Sequence, residues 1–125
     1  MTVDENEEVG AEGTNWKGFS SEKNPETGLT KLQEHYDKHV IRGQEFGDIS
    51  QTDYLKMAKA FAKESDPNFM QAKVGNIVIK YDPGTRRLFI GNIKSRQIRT
   101  FYRADYRSPD PFIAAIEEAI SKTGK

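Results

Sequence analysis

No cysteine occurs in the 125 residues, so neither a disulfide framework nor a thiolate zinc site is available to this chain. No apolar run approaches the roughly 18–20 residues of a membrane-spanning helix. The acidic start lacks the basic and apolar stretches of a secretory signal, so an export signal is expected to lie elsewhere. Glycine-rich phosphate loops and nucleophile elbows are also missing. Asp48, Asp53 and Asp66 are scattered around helix ends and do not resemble a two-metal nuclease centre, which disfavours magnesium-assisted hydrolysis. No cofactor and no metal is expected. Histidine is scarce, with only His35 and His39.

The formal net charge is zero, which by itself argues against a polyanionic partner. The average hides a segregation along the chain. Before Ala72 the sequence is acidic, led by Asp4, Glu5, Glu7, Glu8 and Glu12. Beyond it come Lys73, Lys80, Arg86, Arg87, Lys94, Arg96, Arg99, Arg103 and Arg107 against only Asp82 and Asp105 in the strand region. Such asymmetry suits an anion-binding face, or more plainly a solvated basic sheet face.

Residues 1–28 carry Trp16 and Phe19 as their only bulky apolar groups, so they are expected to form a flexible acidic linker or arm before a domain spanning residues 29–125. Thr30 and Gln33 make a capping-box pattern ahead of a helix from Lys31 to about Ile41, with Leu32, Tyr36 and Val40 on one face and His35 and His39 on a neighbouring stripe beside Lys38. Ser50 caps a second helix, whose Tyr54, Met57, Ala58, Phe61 and Ala62 form a core stripe and which should stop before Asp66-Pro67. After Gly75 the period becomes two, through Ile77–Tyr81, Arg86–Gly91 and Gln97–Arg103, a three-stranded meander. In the last strand Ile98, Thr100 and Tyr102 should share one face, with Arg99, Phe101 and Arg103 on the other. Asp110-Pro111 opens a final helix. Helices and strands are thus segregated, which predicts an α+β domain with N-terminal helices and a C-terminal helix packed on a small antiparallel sheet of three or more strands.

Imidazole can take a proton from a ribose 2′-hydroxyl near neutral pH and return one to a leaving oxygen, so the histidine helix is a candidate for metal-free RNA cleavage. The rival in which His35 and His39 form half of a zinc site lacks the glutamate of a HExxH motif, since Tyr36, Asp37 and Lys38 stand between them. Thr100 and Tyr102 are ordinary strand residues, but Arg99 and Arg103 flank them, and hydroxyls with guanidinium groups nearby can hold a phosphate and its developing charge. A tyrosine ring can also stack an unpaired base.

The run Lys31-Leu32-Gln33-Glu34-His35-Tyr36-Asp37-Lys38-His39, followed after the longer spacer Val40 to Gln44 by Glu45-Phe46-Gly47, resembles the first helix of colicin D-like tRNA ribonuclease domains. The run from Ile79 to Ile90 with Ile98-Arg99-Thr100-Phe101-Tyr102 resembles the sheet of the same group. The chain is similar as well to the C-terminal toxin domains of contact-dependent growth inhibition and other polymorphic toxin systems, within the barnase–EndoU–colicin–RelE ribonuclease superfamily. The resemblance runs from about Thr30 to Tyr106.

That resemblance implies a bacterial toxin that cuts tRNA in the anticodon region, by attack of the ribose 2′-hydroxyl on its own phosphate. His39 takes the catalytic histidine's place and Lys38 that of the basic residue before it. Thr100 stands where a hydroxyl helps bind phosphate, Tyr102 where an aromatic lies two positions on, and His35 near a basic position. Arg99 joins them in stabilising charge, while Lys80, Arg86, Arg87 and Arg103 are the expected RNA contacts. The resemblance also implies delivery as the tail of a larger secreted protein, action in the target-cell cytoplasm, and neutralisation by a cognate immunity protein. Two other readings fit the residues: a non-enzymatic module binding RNA or protein, and a RelE-like toxin of a toxin–antitoxin pair.

Overall fold

The computed structural model describes residues 10–105 and 110–123. Arg107, Tyr106 and the acidic Asp4, Glu5, Glu7 and Glu8 lie outside the described residues. Thr30 closes the expected capping box on helix α1 (Lys31–Tyr36), accepting from the Gln33 N–H at 3.1 Å while the Gln33 side chain accepts from the Thr30 N–H at 2.8 Å. The chain does not continue as an α-helix to Ile41. It widens into a π-helical segment, Asp37–Arg42, closed by the Gly43 N–H donating to the Lys38 carbonyl at 2.9 Å. Helix α2 (Gln51–Lys63) starts from Ser50, whose hydroxyl accepts from the Asp53 N–H, and Glu64 beyond its end is extended.

Five strands follow one another in space as β1-β5-β4-β3-β2, with β1 Gly18–Phe19, β2 Met70–Val74, β3 Ile77–Asp82, β4 Arg87–Asn92 and β5 Gln97–Arg103. The expected meander is present as β3, β4 and β5, paired antiparallel, with antiparallel β2 added at one edge and β1 pairing parallel to β5 at the other. The domain is α+β, with its helices flanking a mixed sheet. β2 does alternate in sequence, but Ala72 and Lys73 are poor strand formers and its residues are exposed or half-buried, so its pattern is faint.

Each sheet face carries its own core. On the first, Val78, Phe89, Ile98 and Phe101 meet Tyr54, Ala58, Phe61 and Ala62 of α2, together with Val40, Ala11 and Trp16. On the second, Ile77, Ile79, Tyr81 and Leu88 meet Phe112, Ala115 and Ala119 of helix α3 (Pro111–Thr123), whose first turn Asp110 caps at the Ile113 N–H. Because α3 packs chiefly on β2 and β3, with Leu88 of β4 also buried beneath it, the rest of the second face over β4 and β5 opens into a cleft.

Part of the segment expected to be a flexible arm, residues 10–19, packs against the domain. Ala11 is fully buried, Trp16 is 4% exposed and sits edge-on to Phe89 with ring centroids 5.0 Å apart, and the Trp16 indole N–H donates to the Ala11 carbonyl at 2.9 Å. One large ring, the Lys17 N–H bond to the Arg96 carbonyl and a short parallel pairing with β5 offset an ordering cost that composition alone suggested was too great. Gly91 makes room for that ring, since a Cβ there would overlap it.

Candidate active site

The exposed part of the second face forms the floor of a cleft of about 1160 Å³, walled by α3 on one side and by α1 with its π-helical extension on the other. The edge position of α1 explains how one helix serves both faces. Leu32, Tyr36 and Val40 turn into the first core, and the neighbouring stripe of His35 and His39 comes round to Thr100 and Tyr102.

The π-helical turn and Gly43 bring a carboxylate back onto the second histidine. His39 is 6% exposed, and its Nδ1 lies 2.9 Å from Glu45 Oε2, while Glu45 Oε1 accepts from the Arg103 backbone N–H at 2.8 Å. A carboxylate at this distance accepts, so the imidazole proton resides on Nδ1 and Nε2 is the free acceptor in the neutral ring. Gly43 fits because a Cβ there would approach the Lys38 carbonyl at 2.9 Å and Glu45 Oε2 at 3.0 Å.

Four rings then form a ladder. Phe19 of β1 packs on His35 at 5.2 Å, His35 stacks on His39 at 5.8 Å, and His39 stacks on Tyr102 at 5.3 Å between centroids. Burial first, and then the neighbouring His39 and Lys38, push the His35 pKa down to about 4, so this ring is neutral near pH 7. His35 Nδ1 stands 3.4 Å from Thr100 Oγ1. Burial, reinforced by Glu45, raises the Tyr102 pKa, and its phenol stays protonated.

His35, His39, Lys38, Thr100, Tyr102 and Arg99 therefore line one cleft, joined by Arg86 and Arg103. The alternation expected for β5 is broken by a β-bulge. Ile90 pairs with Thr100 but Gly91 with Ile98, leaving Arg99 as an extra residue, so Ile98 turns into the first core while Thr100 and Tyr102 face the cleft. Arg86 holds a left-handed backbone, φ 65°, at the end of the Asp82–Arg86 turn, and its Nε donates to the Ala104 carbonyl at 3.2 Å.

Two expected RNA contacts lie elsewhere. Lys80 is fully buried in the first core, donating to the carbonyls of Ala62 and Glu64 and pairing with Glu12 at 3.0 Å, with the rings of Phe61 and Phe69 beside its ammonium. Its place in a strand whose six residues are all buried fixes that fate. Arg87 packs its guanidinium over Phe61 at 4.4 Å and pairs with Asp82 and Glu64, which neutralise it. Glu45 is the site residue that the reading of single residues missed. Its signal was the Glu45-Phe46-Gly47 turn, but five intervening residues concealed that a widened helix turn would return it to His39. Among the described residues no three His, Cys, Asp or Glu side chains converge as a group that could hold a metal ion, and no helix is long and apolar enough to cross a membrane.

No protein-family profile matches the chain, and no curated protein matches it.

Proposed function

We propose that this chain is an RNA-cleaving toxin domain whose reaction needs no metal. The observation that carries the proposal is the His39–Glu45 pair set beside Thr100 and Tyr102 in a cleft rimmed by Lys38, Arg86, Arg99 and Arg103. His39 takes the 2′-hydroxyl proton on Nε2, the 2′-oxygen attacks the adjacent phosphorus, and the bond to the 5′-oxygen breaks. Lys38, Arg99 and the Thr100 hydroxyl hold the charge that grows on the phosphate oxygens. The protonated Tyr102 phenol is the nearby donor for the leaving 5′-oxygen, and the products are a 2′,3′-cyclic phosphate and a 5′-hydroxyl end. Neutral His35 orients Thr100 and adds no charge.

The resemblance to colicin D-like and contact-dependent inhibition toxins makes tRNA the substrate to test first, with delivery on a larger secreted protein and an immunity protein as the partner. Incubated with total tRNA in EDTA, the wild-type chain should leave 5′-hydroxyl ends. His39→Ala should lower the cleavage rate about 10²- to 10⁴-fold, the usual share of general acid–base catalysis, with an unchanged circular dichroism spectrum. RNA left intact by the wild type, or cut equally by the variant, would sink the proposal.

A further inference from the structure

A second cleft of about 660 Å³ adjoins the first and shares His35 and Arg99 with it. Its other walls come from the segment after β1, with Glu22, from Lys31 of α1, from Ser95 of the turn between β4 and β5, and from Gln97 at the start of β5. Ile98 is its one apolar lining residue and is itself buried, so almost every group offered to the cleft is polar.

The frame around it is fixed. The Asn92 carboxamide oxygen accepts from the N–H groups of Lys94 and Ser95 at 2.9 and 3.1 Å, and the Arg96 N–H donates to the Asn92 carbonyl at 2.8 Å. The Lys17 N–H donates to the Arg96 carbonyl at 2.8 Å, which ties the turn to the β1 segment. Inside this frame the Gln97 amide and the Arg99 guanidinium have no partner among the described residues. Arg99 is the extra residue of the β5 bulge, the kind of irregularity that re-aims a side chain beside a site, and it stands at the junction of the two clefts.

We infer that the second cleft is a nucleobase subsite, which takes the base next to the scissile phosphate while Arg99 holds the phosphate between them. The inference rests on the ribonuclease reading of the first cleft. A primary amide offers a donor and an acceptor side by side, the pattern that matches a base edge, and unstacked bases of single-stranded RNA are read in this way. Glu22 in the wall offers a carboxylate that can accept from an exocyclic amine, while Lys31 of the same cleft is drawn toward Glu34, 3.9 Å away. Adenine, cytosine and guanine therefore satisfy the wall, and uracil, which has no such amine, does not.

The test is an NMR titration of the isotopically labelled full chain with AMP, CMP, GMP, UMP and inorganic phosphate. The amine-bearing nucleotides should shift the Gln97 side-chain amide and the Ser95 backbone signal, with UMP binding about fivefold more weakly and Gln97→Ala weakening AMP and CMP about five- to tenfold, the lower end of what one base-edge pair contributes. Inorganic phosphate should move signals around Thr100 and leave Gln97 unmoved. Equal shifts at Gln97 from phosphate alone, UMP binding as well as CMP, or an unaffected Gln97→Ala variant would each overturn the subsite. Cleavage is scored separately: a chain that cuts RNA with no response at Gln97 loses the subsite alone, whereas nucleotide-dependent shifts in a chain that cuts nothing sustain the subsite and remove the nuclease.

Discussion

On one face of the sheet Trp16, Phe89, Phe101 and helix α2 form a closed core, and Lys80 is buried beside Phe61 and Phe69 with its ammonium satisfied by two carbonyls and Glu12. On the other, α3 covers chiefly β2 and β3, and Lys38 and Arg99 stand exposed at the rim of an open cleft. The same cationic side chains are structural on the closed face and available on the open one. The lesson is that charge read along a chain overstates a binding surface until each residue is given a side of the sheet.

The closed face breaks most readily at its N-terminal wedge. Trp16→Ala should cost about 3–5 kcal/mol, the range for emptying a buried aromatic site, read as a fall in the midpoint of urea denaturation. A loss under 1 kcal/mol would return this segment to the status of a loose arm. Next, Lys80→Gln and Arg99→Gln should act on opposite readouts. Lys80→Gln should destabilise by about 2–3 kcal/mol, below the usual cost of breaking a buried pair because Glu12 is partly exposed, and should leave the salt dependence of RNA binding unchanged. Arg99→Gln should leave stability within about 0.5 kcal/mol and reduce the salt slope by about one phosphate contact. An exchange of these two outcomes would refute the division between the faces.

Within the open cleft, Glu45→Gln should slow cleavage by about 10- to 100-fold, the effect of a base held in the wrong place, with little change in KM. A rate equal to wild type would make the His39–Glu45 contact structural only. The smallest effect concerns His35. A folded-state pKa of about 4, below the ordinary 6.5, means that the unfolded chain binds the extra proton first. Its contribution to stability is therefore present above about pH 6.5 and declines as pH falls toward 4. His35→Phe should flatten that part of a melting-temperature profile, and an unchanged slope would assign it to other groups.

Much of the scaffold was legible because it is written in local rules. The Thr30–Gln33 box, the Ser50 cap, the core stripe of α2 and the alternation of β3 each depend on residues only a few positions apart. His35 and His39 line one cleft with Thr100 and Tyr102, residues that came from two separate stretches of the sequence. What stayed hidden depends on long-range contact. Trp16 meets Phe89 across most of the chain, Lys80 finds Glu12 across much of it, and the bulge that parts Ile98 from Thr100 arises from pairing with Ile90 and Gly91. A buried lysine and a solvated one look alike until the partner is in view.

The widened turn at Asp37–Arg42 has a consequence for how such a chain tolerates insertion and deletion. A π turn holds one residue more than an α turn, and each residue of an ordinary helix advances about 100° around the axis. A sequence one residue shorter between His39 and Glu45 would wind smoothly and carry the outgoing loop to another side of the helix. The spacer length in this stretch thus behaves as a register setting for the acid–imidazole pair, so related chains keeping that pair are constrained in how many residues separate the two, more than in which residues they are.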